Sequence, residues 1–193
     1  GNNGGTTILQ STGGTISGTG SIVLNAGGGS AQLNTATGAT VTQNVNHSIT
    51  GFGQINATLI NNGTVDANIS GQTLQLQTSN MTNNNIFEAT NGGTMNISGI
   101  TVTQGANGSI SADDASVNLT GSTTISGGTL DTSNDGDFFN TAGTNTLDSL
   151  TNTGIFNINV HTTVNVTGDL TDNGKIVVDT GNNGGTTIFN FAG

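Results

Sequence analysis

One short unit recurs along this chain and limits what the chain can fold into. It is a polar turn followed by alternating apolar and polar residues. Asn61-Asn62-Gly63-Thr64-Val65-Asp66-Ala67 returns as Asn83-Asn84-Asn85-Ile86-Phe87-Glu88-Ala89 and as Ala106-Asn107-Gly108-Ser109-Ile110-Ser111-Ala112. Weaker copies are Ser126-Gly127-Gly128-Thr129-Leu130-Asp131-Thr132, Asn152-Thr153-Gly154-Ile155-Phe156-Asn157-Ile158 and Asp172-Asn173-Gly174-Lys175-Ile176-Val177-Val178. Their third positions are about 20 to 26 residues apart, within the range of solenoid repeats. Asn and Gly turn the chain because both tolerate left-handed backbone. Beyond each turn, apolar residues alternate with polar ones: Leu74 and Leu76 around Gln75, Met95 and Ile97 around Asn96, Val117 and Leu119 around Asn118, Val164 and Val166 around Asn165. Period two is the mark of a half-buried strand. Gly interrupts every candidate helical window, and good helix formers are sparse.

These features predict an all-β fold, a right-handed parallel β-solenoid of about nine coils of roughly 20 residues. An antiparallel sandwich also has many short strands. The solenoid is favoured because the unit recurs in register, so like can stack on like. Asn62, Asn84, Asn107 and Asn173 are the expected stacked Asn ladder.

Composition narrows the function classes. Charged residues make up only 6% of the 193, and Pro, Cys, Trp and Tyr are absent. Amides and hydroxyls must therefore keep the surface wet. The net charge is −10, with Lys175 the one basic residue. No basic stripe exists for nucleic acid, and anionic membrane surfaces are equally poor partners. No apolar run approaches the roughly 18–20 residues of a membrane span, so membrane insertion is not expected. The lack of Cys excludes disulfides and thiolate metal sites. The sequence shows no signal-peptide pattern and reads as an excised or processed piece. Gly1-Asn2-Asn3-Gly4-Gly5-Thr6-Thr7-Ile8 recurs as Gly181-Asn182-Asn183-Gly184-Gly185-Thr186-Thr187-Ile188. This implies one solenoid domain over residues 1–193, slightly more than one unit of a longer array with a period of about 180 residues.

The runs Gly51 to Ala67 (GFGQINATLINNGTVDA), Ile86 to Ser98 (IFEATNGGTMNIS) and Thr123 to Leu130 (TTISGGTL) resemble the β-strand repeats of very large bacterial exoproteins. Autotransporter passenger regions and haemagglutinin-like adhesins are similar. The resemblance implies a parallel β-helix outside the cell or on the bacterial cell surface. It transfers no functional residue.

Chemistry is sparse. There is no Arg to neutralise an acidic sugar, and Lys175 sits in a turn. Asp66 and Glu88 occupy equivalent places in neighbouring copies, so stacking would bring two carboxylates together and raise one pKa. Without Trp or Tyr platforms the bland reading is two solvent-facing acids. His47 and His161 are isolated and read as solvated turn residues. Asp131-Thr132-Ser133-Asn134-Asp135-Gly136-Asp137 resembles the first half of an EF-hand loop, which makes Asp131, Asp135 and Asp137 candidate calcium ligands. Ala142 stands where the bidentate acid would be. Thr40-Val41-Thr42 and Thr101-Val102-Thr103 could face outward, as in a threonine array that binds ice, but the motif is not expected to recur once per coil in register.

The leading expectation is a non-catalytic structural or adhesive stalk without a cofactor. Its partners would be itself, stacked end to end, or neighbouring repeats, with host or cell-surface glycans as further candidates. A ligand- or ice-binding face is second and a polysaccharide-active β-helix enzyme third.

Overall fold

The computed structural model describes residues 4–179 and 185–191. Its described elements are strands, and all of their pairings are parallel. Each turn of chain contributes three short strands, which stack on those of the next turn and build three faces.

Face A begins with Thr6–Ser11 and Ser30–Thr35 and continues through Thr73–Gln77, Thr94–Ser98, Ser116–Thr120, Asp137–Asn140 and Ile155–Ile158 to Lys175–Val178. Face B runs from Gly14–Ile16 and Val41–Gln43 through Leu59–Asn61, Met81–Asn83, Thr101–Gln104 and Thr124–Ser126. Face C runs from Ser21–Asn25 through Thr64–Ala67, Ile86–Thr90 and Ser109–Asp113 to Thr129–Ser133. The long strand Ser48–Ile55 turns from C to A within itself. Thr144–Asn152 and Thr163–Asp172 do the same from B to C.

One inward column on face A reads Leu9, Leu33, Ile55, Leu76, Ile97, Leu119, Asn140, Ile158 and Val178. Eight turns separate its ends, one fewer than the nine coils expected. At about 4.8 Å per step the stack is about 40 Å long.

The alternation seen in the sequence is the alternation of the fold. Ile49, Val65, Phe87, Ile110 and Leu130 stack inward on face C and are sealed from solvent. Val41, Leu59, Met81, Val102, Ile125 and Leu147 do so on face B. Each such side chain contributes about 1.5–3 kcal/mol on leaving water, and together they form one continuous core. Turn chemistry closes the coils. Asn46, Asn91, Asn134 and Asp135 hold positive φ, which these residues tolerate better than most.

The repeats do not all fall on one face. The first four copies lie at the B-to-C corner and stack in register, Val65 on Phe87 on Ile110 on Leu130. The last two stack on each other, Phe156 on Ile176, but on face A above Phe138. The physical cause lies in Thr144–Asn152. This strand crosses the B-to-C corner through an irregularity at Ser149 (φ 52°), so the Asn152–Gly154 turn serves the C-to-A corner instead. The octapeptide match behaves similarly. Thr6–Ser11 lies on face A and Ile188–Phe191 on face B, so these parts of the two copies are not in equivalent places. Residues 1–3 and 181–184 of the match lie outside the described residues.

Candidate functional site

The expected Asn ladder is present for one step only. Asn84 Nδ2 donates to Asn62 Oδ1 at 2.8 Å. In the next coil Gly105 takes the place of an amide, since Gly105 N–H bonds Asn83 C=O just as Asn84 N–H bonds Asn61 C=O. Asn107 is exposed in the following turn. Asn173 belongs to the other corner, where its N–H bonds Asn152 C=O. The extended ladder lies one residue earlier and points inward: Gln43, Asn61, Asn83 and Gln104, all buried and in register. Asn61 Nδ2 donates to Asn83 Oδ1 (2.8 Å) and to Ile86 C=O (3.0 Å). Asn83 Nδ2 donates to Gln104 Oε1 (3.3 Å) and Ser109 C=O (2.9 Å). Gln43 Nε2 donates to the carbonyls of His47 and Thr64, both at 2.8 Å. These amides satisfy strand-end carbonyls that water cannot reach. His47 is thus not a solvated turn residue. It is 6% exposed and packed into this corner with an unpartnered Nδ1. His161 is exposed, at φ 63°.

Outside, the three faces carry three chemistries. Face A presents an amide column, Gln32, Gln54, Gln75, Asn96 and Asn118. Asn96 Nδ2 donates to Gln75 Oε1 at 3.0 Å. Near the A-to-B corner an open cleft is lined by Asn34, Asn56, Thr35, Thr58, Thr78 and Ser79, all neutral and hydrogen-bonding.

Face C is acidic. Asp66 and Glu88 are direct neighbours across the ladder. Burial pushes the Asp66 carboxyl above its ordinary range, partly offset by the Thr90 hydroxyl that donates to it. Glu88 is pushed up by burial first, then by the charges of Asp66 and Asp113. The candidate calcium ligands are not gathered. Asp131 lies on face C and accepts from Thr153 (2.7 Å), Asp135 is exposed in the turn, and Asp137 lies on face A and accepts from Asn157 (2.9 Å). Among the described residues no three His, Cys, Asp or Glu side chains are placed to hold a metal ion.

Face B carries what the sequence concealed. Its outward positions form two columns. One contains Thr40, Thr58, Thr101, Thr124 and Thr146, interrupted by Asn80. The other contains Thr15, Thr42, Thr82 and Thr103, with Ile60 between the second and third, then Ser126 and Asp148. The full Thr-x-Thr pair stands only at Thr40/Thr42 and Thr101/Thr103, but each coil from Thr40 to Asp148 places at least one threonine in register in these columns. Asp148 closes the array. Its carboxyl is held below the usual range chiefly by the Ser126 hydroxyl at 2.8 Å, with Ser149 and Thr167 adding to it against the opposing effect of burial.

Comparison with protein-family models, with characterised proteins and with solved structures returned no match.

Proposed function

We propose that this chain is a stretch of a non-catalytic stalk, structural or adhesive, in a secreted or surface-displayed bacterial protein. The observation that supports it most is the in-register stacking of eight turns, continuous along face A, around one apolar core. Such a stack projects a rigid body about 40 Å long with short neutral side chains over most of its surface. The chain has no Trp or Tyr to seat a sugar ring beside Asp66 and Glu88, which lie side by side on a sheet face. The neutral cleft at the A-to-B corner is suited to glycan hydroxyls, and this supports the adhesive form of the reading.

End-to-end association, with a second copy or a neighbouring repeat, is part of the proposal. Both terminal rungs expose apolar side chains, Ile8, Leu9 and Val23 at one end and Val178, Ile188 and Phe191 at the other. Strand edges with such side chains template further pairing.

Two chains joined in tandem test the reading. Small-angle scattering should show one straight rod of twice the single-chain length. Two bodies hinged at the junction would sink it.

A further inference from the structure

We infer that face B is a surface for ordered water and binds ice. Eight of its twelve outward positions from Thr40 to Asp148 are threonine. Successive rungs are about 4.8 Å apart, and two residues flanking one inward residue are about 6.6 Å apart. Both spacings are near the repeats of hexagonal ice, and every threonine offers a hydroxyl beside a methyl. The hydroxyls of Thr40, Thr42, Thr58, Thr82, Thr101, Thr103, Thr124 and Thr146 make no hydrogen bond to another described protein group, so all are free to bind water. A shallow groove on this face is lined by five of these threonines, from Thr40 to Thr103, together with Ile60, Asn80, Leu59 and Met81. It gives water a place to sit among the hydroxyls.

The rest of the surface argues for the same occupant. Charged groups impose their own hydration. Face C carries Asp66, Glu88, Asp113 and Asp131, whereas face B has no charged outward residue before Asp148. A protein partner would seek large anchors such as Trp, Tyr or Arg, and this chain has none. The spacing is also rigid. The same strands bury Val41, Leu59, Met81 and Val102 on their inner side, together with the bonded ladder Asn61, Asn83 and Gln104. The interruptions set the strength. Ile60 lacks a hydroxyl, Ser126 lacks a methyl, and Asn80 spends its Oδ1 on Thr101 N–H at 2.9 Å.

This inference does not rest on the stalk reading and can stand or fall without it. The test is partition of the purified chain into slowly grown ice, with recrystallisation inhibition as the second readout. The chain should be enriched in ice over a control protein of similar size and charge. Thr103→Lys should lower that enrichment about tenfold, equal to about 1.4 kcal/mol. Gln75→Lys on face A and Ser111→Lys on face C should leave it unchanged. Ile60→Thr should raise it. Circular dichroism of each variant confirms that the coils persist. Absence of enrichment, or equal losses from all three lysine variants, would overturn the inference.

Discussion

Two stacks of amides run along this molecule, one inside and one outside. The inner stack, Gln43–Asn61–Asn83–Gln104, is buried at the B-to-C corner. The outer column, Gln54–Gln75–Asn96–Asn118, lies on face A and is only half buried. Their chemistry is the same, and the strand spacing is the same. The alternatives open to each group differ. An outer amide that loses its neighbour bonds to water. An inner one leaves a donor or acceptor with nothing, which costs about 1–3 kcal/mol for each group. The inner stack therefore fixes the corner, and the outer one decorates it.

The contrast predicts a graded series. Asn83→Ala strands Gln104 Oε1 and Ser109 C=O and opens a cavity. It should lower unfolding stability by about 3 kcal/mol in denaturant titration. A loss below about 1 kcal/mol would mean that the inner stack holds little. Gly63→Ala attacks the same corner sterically, because a Cβ would lie 2.2 Å from His47 O and 2.7 Å from Gln43 Nε2. About 2 kcal/mol should be lost through overpacking. A double-mutant cycle on Asn61 and Asn83 should give a coupling of about 1 kcal/mol, whereas the same cycle on Gln75 and Asn96 should give almost none.

Face C supplies a pH-dependent step. Asp66 and Glu88 both have raised carboxyl pKa values. The folded chain holds these protons more tightly than the unfolded one, so the penalty is present at neutral pH and fades as pH falls through the raised values toward 3.8 and 4.5. Glu88→Gln should therefore stabilise the chain by about 0.5 kcal/mol at pH 7. The gain should vanish below the ordinary carboxylate range, as thermal melts across pH would show. The smallest effect belongs to Asn96→Ala, where a loss of at most about 0.5 kcal/mol is expected. A larger one would erase the distinction between the two stacks.

The strand alternation and the coil were legible because period two survives in a single sequence. Val117-Asn118-Leu119 says which side is in whatever the neighbouring coil does. The inner ladder was also within reach. Leu59 and Asn61 share a parity, so an inward Leu59 implies an inward Asn61, and a slip of one residue moved the ladder to Asn62 on the outer side. Face B was legible only at Thr40-Val41-Thr42 and Thr101-Val102-Thr103. The steps from Val41 to Leu59, Met81, Val102, Ile125 and Leu147 differ in residue count, so no fixed period brings Thr58 and Thr124 into line with Thr40 and Thr101, or Thr82 into line with Thr42 and Thr103. Only the paired registers do. The calcium loop failed for a related reason. Asp131 and Asp137 are close in sequence, but the turn between them carries the chain from face C to face A.

The bonds between neighbouring rungs run along the stack, and each rung is tied mainly to those directly above and below it. A tensile load applied at the two ends would therefore act on those bonds one rung at a time. The terminal coil would peel while the others stayed closed. A turn of roughly 20 residues, drawn out at about 3.3–3.6 Å per residue, adds about 70 Å of slack. Pulled this way, the chain would yield in a staircase of small extensions and could rewind turn by turn when the load is released, like a ratchet strap rather than a snapping rope.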